Sequence, residues 1–306
     1  MIILNSSKEL LRVENWADIE GRPGFTNHLD PKNHELASII GRYAFSDRIR
    51  CGLSNCHTPH AKGYIVSTKD GRETNIGKDC GKNYFGVDFE TMTRQFDQDI
   101  TDKENRDRLW SFSFRIEDLK QNVQTIRTQP QGADWIFHSS RPLVEAGRTV
   151  PNEIVRRIAS MVKTRQNLLS VEREATEAEF EQLEAARGRK LQRPQYVDEP
   201  IGQLDGMDAL FPENDLRQLL VIDVEQELRT FEELEIDTLN SASLSRWNKW
   251  IGTVDPTVER ASTAVEAGRR LLRAENLQPL VQLLQDKEQA QRMKKYIASI
   301  GHRSDA

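Results

Sequence analysis

Cysteine is scarce in this chain of 306 residues: three occur, Cys51, Cys56 and Cys80, all within one short stretch. An odd number of thiols cannot form a fully paired disulfide framework, so a disulfide-stapled secreted fold is excluded and reduced thiols are expected. Long uncharged apolar runs are missing, which argues against a membrane-spanning helix and a membrane partner. The opening Met1-Ile2-Ile3-Leu4-Asn5-Ser6-Ser7 places no charged leader before a sustained apolar stretch, and the expected location is the cytoplasm. A large charge imbalance is missing too: 43 Lys+Arg stand against 48 Asp+Glu. Coating nucleic acid by bulk charge is therefore excluded, because counterion release needs clustered cations. What is present is ample apolar content, 37% of residues, on a chain long enough to bury a core in about two domains.

Charge is unevenly distributed. Between Gly41 and Gly86 eight Lys and Arg face four Asp and Glu, a mildly basic segment. Between Val171 and Asn240 the balance reverses, with 19 acidic residues against seven basic ones, as expected of a solvated Glu-rich helical face.

Turn signals at Gly21-Arg22-Pro23-Gly24 and Asp30-Pro31-Lys32-Asn33 divide the amino-terminal part, and a short helix is expected over His34 to Tyr43. Gly63-Tyr64-Ile65-Val66-Ser67-Thr68 is rich in β-branched and aromatic residues, Lys69-Asp70-Gly71-Arg72 supplies a turn, and Glu73-Thr74-Asn75-Ile76 follows. Asp-Gly between two such runs predicts a β-hairpin, since both turn residues tolerate positive φ. From Phe89 the chain reads as helix, interrupted at Pro130-Gln131-Gly132. After Pro151, the residues Ile154, Ile158, Met161, Leu168 and Ala175 form one stripe of a long helix running toward Gly188. Further stripes are Leu216, Leu220, Val224, Leu228 and Phe231, then Val258, Ala261, Val265, Gly268 and Leu272, whose small residues permit close helix approach. Trp110, Phe112 and Phe114, and Trp247, Trp250 and Ile251, are expected as core anchors between helices.

The chemistry is concentrated in Cys51-Gly52-Leu53-Ser54-Asn55-Cys56-His57-Thr58-Pro59-His60 and in Ile76-Gly77-Lys78-Asp79-Cys80-Gly81 beyond the hairpin. Zn²⁺ takes four tetrahedral thiolate and imidazole ligands, and a tight turn lets Cys51 and Cys56 reach one ion. Cys80 sits where a helix can begin. The expected ligands are Cys51, Cys56, Cys80 and His60, whose spacing from Cys56 lets its ring fold back; His57 is the reserve. Four protein ligands make a structural rather than a catalytic zinc.

The order knuckle, hairpin, helix-borne cysteine resembles a treble-clef zinc finger over Arg50 to Gly86. That family commonly places a second ligand one turn into the helix, where this chain has Asn83 or Tyr84, so the resemblance implies that His57 or His60 supplies the missing ligand. Basic and aromatic groups interleave around the hairpin, and Arg50, Lys62, Tyr64, Lys69, Arg72, Lys78 and Lys82 are the expected nucleic-acid contacts.

The fold expected is mostly α with a small α+β zinc module: a knuckle, β-hairpin and short helix followed by long packed or coiled-coil helices. The segments are a zinc-binding module over 1–88, a long helical segment over 89–188, a linker or irregular crossing over 189–212 and a helical segment over 213–306. The function expected is a non-enzymatic adaptor that binds nucleic acid or a protein through the finger, while the helices mediate assembly, as a homodimer or in a larger complex. Phosphate-loop, dinucleotide, deaminase, metalloprotease and hydrolase motifs are missing. Two alternatives stand beside this reading. One is a metal-dependent nuclease of the His-Asn-His type drawing on Asn27-His28 and Asn33-His34; the other is a purely helical scaffold.

Overall fold

A computed structural model describes residues 2–5 and 10–303; Met1, Ser6 and Ser7 of the opening segment lie outside them. The fold is mostly helical with a small antiparallel sheet. The chain divides into two compact units, each assembled from separated segments: Met1–Ser111 with Glu235–Lys249, and Phe112–Leu234 with Trp250–Ala306.

The first unit is built on five antiparallel strands, β1 (Ile2–Asn5), β2 (Leu10–Val13), β3 (Leu36–Arg50), β4 (Pro59–Thr68) and β5 (Glu73–Ile76), ordered β2-β1-β3-β4-β5. The hairpin forms as the Asp-Gly signal predicts, with Tyr64 opposite Ile76, Val66 opposite Thr74 and Gly71 at φ +81°. It is one edge of a larger sheet, and the helix expected over His34 to Tyr43 is a strand instead. Buried Gly41 and Tyr43 flank the half-buried Arg42, a strand's alternation, and β4 supplies the partner that overrides the local helical reading.

The two faces of the sheet are covered separately. Ile3, Val66 and Ile76 pack under Phe89, Phe96 and Ile100 of α2 (Lys78–Ser113), while Ile2, Leu4, Tyr43 and Ile65 pack with Ile19 of α1 (Trp16–Glu20). A break at Gly86 (φ 60°, ψ −139°) divides α2 into a short first piece, which carries Cys80, and a long second one. Glu235–Lys249 returns to this long piece: Arg106 donates to the carbonyls of Ile236 and Leu239, and the Asn248 amide donates to that of Asn105.

The second unit contains α3 (Ile116–Thr128), α4 (Ala133–Val144), α5 (Asn152–Thr164), β6 (Leu168–Glu174), α6 (Glu177–Arg187), β7 (Tyr196–Gln203), a π-helix (Gln218–Gln226) and α7 (Glu227–Glu232). It also contains most of α8 (Ser241–Leu271), then α9 (Ala274–Leu277), α10 (Pro279–Gln282) and α11 (Lys287–Arg303). Two expectations are corrected here. The single long helix after Pro151 is α5, β6 and α6: Arg165 takes a left-handed conformation that ends α5, and Leu168 is 53% exposed on a strand. The irregular crossing over 189–212 contains β7, paired along its length with β6. The stripe at Leu216, Leu220, Val224, Leu228 and Phe231 is buried as expected. Its four-residue steps from Leu216 to Leu228 run through the wide turns of the π-helix, and the last step, to Phe231 on α7, is three. On α8, Val258, Ala261 and Val265 are buried, and a side chain at Gly268 would collide with Ile136 of α4. Of the aromatic anchors, Phe112 and Trp247 are buried, whereas Phe114 is 83% exposed and Trp110 is partly exposed.

Candidate metal centre

The knuckle between β3 and β4 is sewn to the sheet on both sides. Gly52 donates its N–H to the Asn75 carbonyl at 2.8 Å and accepts from Leu29 at 2.9 Å, while Ser54 donates to Leu29 at 2.9 Å. Any side chain at Gly52 would strike Thr74 and Asn75, so this approach is open to glycine alone. Leu53 is fully buried, and the Cys56 N–H closes the turn on its carbonyl at 3.2 Å. The turn brings Cys51 and Cys56 together, and the first turn of α2 adds Cys80.

The three Sγ atoms lie within 4.8 Å of one another, with Cys56 and Cys80 3.2 Å apart. That separation is far beyond the ~2.05 Å of a disulfide bond, and all three are free thiols. Thiolates around a tetrahedral zinc stand about 3.8 Å apart, given a Zn–S distance near 2.3 Å. The trio therefore has the dimensions of half-closed coordination, and three soft sulfur donors suit zinc or another thiophilic ion.

Electrostatics within the trio is uneven. Burial pushes the Cys80 thiol up to about 12, reinforced by its contact with Cys56. Cys51 is raised as well, chiefly by burial. Cys56 moves down: burial opposes its ionisation, but the Thr58 hydroxyl, 3.3 Å from its sulfur, and the Thr58 N–H outweigh that. Three thiolates repel one another, and a bound cation would stabilise all three.

Neither histidine belongs to this tight cluster. The His60 ring lies against Gly77, where a Cβ would approach its Cδ2 to 2.6 Å, and its Nδ1 is 2.9 Å from the Tyr43 hydroxyl. Its Nε2 is buried without a hydrogen-bond partner, and burial favours the neutral ring that metal ligation requires. Asn75, also buried, donates to the Arg50 carbonyl at 2.8 Å and to the Tyr43 hydroxyl at 3.3 Å, extending a polar network beside the thiols. His57 is exposed, holds a positive φ of 54° and directs Nδ1 toward the Cys51 carbonyl at 3.3 Å. At the helix position where a treble clef carries its second ligand, the Tyr84 hydroxyl reaches back toward the Asn55 carbonyl at 3.5 Å.

The basic candidates disperse. Lys62, Tyr64 and Lys78 line one cleft, whereas Arg50 lines a separate cavity with Glu20, Asn27, His28, Cys51 and His57. Lys69 pairs with Glu35, Lys82 pairs with Glu90 at 3.0 Å, and the Arg72 carbonyl closes the hairpin turn on Thr68. The two Asn-His pairs also separate: the His28 ring packs edge-on against His57, while His34 Nδ1 lies 3.1 Å from Asp70. Sequence reasoning missed Arg42 and Asp97, which meet the cleft from β3 and α2. The signal for Arg42 is its alternation with Gly41 and Tyr43, visible only once β3 is recognised as a strand. No helix among the described residues is long and apolar enough to cross a membrane. Comparison with protein families, characterised proteins and solved structures found no match to this chain.

Proposed function

We propose that the protein is a cytoplasmic, zinc-stabilised recognition protein that binds nucleic acid through its treble-clef-like first unit, with the helical unit serving assembly. The observation carrying this reading is the convergence of three free thiols, from a knuckle and a helix start, within the span of one metal ion. His60 is the fourth ligand we favour, because its Nε2 is buried, unpartnered and on a neutral ring. With His60 as fourth ligand the centre would have no open position for an activated water, so the metal would stabilise the fold and the surrounding surface would do the binding. Lys62 and Lys78, which line one cleft and have no acidic partner among the described residues, support nucleic acid over protein as the finger's partner.

The deciding measurement is zinc content per chain in the parent protein, Cys80→Ser, His60→Ala and His57→Ala. The expected result is one zinc in the parent, loss in Cys80→Ser and His60→Ala, and retention in His57→Ala. Retention in His60→Ala with loss in His57→Ala exchanges the fourth ligand, and a well-folded parent without zinc defeats the reading.

A further inference from the structure

Beside the first turn of α2 lies a cleft of about 430 Å³ whose lining includes Ile3, Arg42, Lys62, Tyr64, Lys78 and Asp97. Sheet register explains the grouping. Ile3 stands opposite Arg42, Arg42 opposite Tyr64, and Lys62 opposite Ala44, so these side chains share the face that α2 covers further along. Ala44 is too short to fill the space beyond the helix. A second hollow of about 360 Å³ shares Tyr64, Lys78 and Asp97 and adds Arg94 and Thr93.

The charges are unbalanced. Asp97 is fully engaged, accepting from Arg42 at 3.2 Å and from the Tyr64 hydroxyl at 2.7 Å. No described residue hydrogen-bonds or ion-pairs with the side chains of Lys62, Lys78 or Arg94, whereas Arg22, Lys69 and Lys82 in the same unit each have an acidic partner. Asp97 and Glu90 also line these hollows, but each is held by another cation, Arg42 and Lys82 respectively, so Lys62, Lys78 and Arg94 remain available to an anion. An inorganic anion alone would leave the exposed Ala44 and the partly exposed Tyr64 ring uncovered; a phosphate ester with a flat organic body covers both. The volume falls within the roughly 300–1,000 Å³ of small-ligand sites, which suits a single nucleotide unit and not a duplex.

We infer that this cleft binds one nucleotide unit of a single-stranded nucleic acid, its phosphates on Lys62 and Lys78 with Arg94 receiving the next, and its organic body on Tyr64 and Ala44. The inference rests on the reading of the first unit as a nucleic-acid recogniser and adds the place and strandedness of binding. A free nucleotide carries the same chemistry and is separated from a strand by the test.

The experiment titrates the full chain against fluorescein-labelled dT12 by anisotropy, with thymidine monophosphate and oligoglutamate as competitors. The variants are Lys62→Glu and Lys78→Glu in the cleft, with Lys69→Glu and Arg72→Glu on the hairpin turn. All four residues are solvent-exposed, and circular dichroism checks each fold. Each cleft reversal is expected to weaken dT12 binding by about tenfold or more, and Lys62→Ala to lower the salt slope by about 0.7. The turn variants are expected to stay within about twofold of the parent. If dT12 binds and only the turn variants weaken it, the cleft assignment falls while nucleic-acid recognition stands. If dT12 fails but thymidine monophosphate binds and loses affinity in Lys62→Glu, the nucleotide site stands and the strand is wrong. Equal displacement of dT12 by oligoglutamate, or no binding of either nucleotide probe, overturns the inference.

Discussion

The two units solve the problem of a stable interior by different chemistry. The sheet unit buries Thr68, Thr74, Asn75 and Thr93 together with the Cys51 thiol, and leaves the His60 Nε2 and the Asn75 Oδ1 without partners. The helical unit has Ser139 as its one buried polar residue among those described, with Ser139 Oγ, Trp135 Nε1 and Arg157 Nε also unpartnered, and its interior is chiefly hydrocarbon, as in the cluster of Phe112, Phe231 and Trp250 with ring centroids 5.3 to 6.0 Å apart. Three of the five strands in the sheet are four residues long, too short to hold register by area alone. On the proposed reading, a small sheet with polar groups inside depends on a metal clamp, while a helical core depends on filled volume.

The contrast is tested most strongly by removing the clamp. Structural zinc contributes on the order of 10 kcal/mol of apparent folding free energy in small modules near neutral pH. Chelation, or Cys51→Ser, is therefore expected to abolish amide protection in β3, β4 and β5, read by segment-resolved hydrogen exchange, and to leave α5 and α11 protected. Simultaneous loss in both sets of segments would break the comparison. The converse perturbation is Phe231→Ala. Emptying that aromatic cluster is expected to cost about 3–5 kcal/mol, lowering protection in α5 and α11 while zinc content stays at its parent level. A change in metal retention would show that the units are not energetically separable.

Legibility in the sequence followed the range of the interactions. The hairpin was readable because its determinants, Asp70-Gly71 and the flanking β-branched runs, are local. The thiol trio was readable because ligand spacing is a local constraint even when Cys80 lies beyond a hairpin. The buried stripe from Leu216 to Phe231 was visible, but its π-helical winding was not, because a four-residue repeat is compatible with either helix. What escaped was set by distant partners. Leu36–Arg50 is a strand because β1 and β4 flank it, and Leu168–Glu174 is one because β7 pairs with it. Arg42 belongs to a cleft only through that pairing. The fourth ligand stayed open between His57 and His60, since both lie in reach of Cys56 and the choice turns on burial, which no spacing encodes.

The smallest test lies at a helix start that the stripe from Ile154 to Ala175 concealed. Thr176 and Glu179 form a reciprocal cap on α6: the Thr176 hydroxyl accepts from the Glu179 N–H, and the Glu179 carboxylate accepts from the Thr176 N–H at 2.9 Å. Arg173 clamps the same carboxylate at 2.7 and 2.8 Å. Thr176→Ala is expected to cost about 1 kcal/mol, the usual value of a lost N-cap, and to raise exchange in the first turn of α6. The cap also has a pH signature. Glu179 is held down to about 2 from an ordinary 4.5, first by the Arg173 guanidinium and then by the Thr176 N–H and hydroxyl. Its folded-state value is depressed, so its contribution is complete above the ordinary value and fades as pH falls through about 2. The difference in α6 protection between the parent and Glu179→Gln is therefore expected to be constant from neutrality to about pH 5 and to shrink toward zero near pH 2. On the proposed reading, thiolate ligation would be lost on acidification too, but at the sheet unit. A pH response of α6 that tracked zinc release instead of the Glu179 difference would mean that the clamp in one unit governs the helix cap in the other.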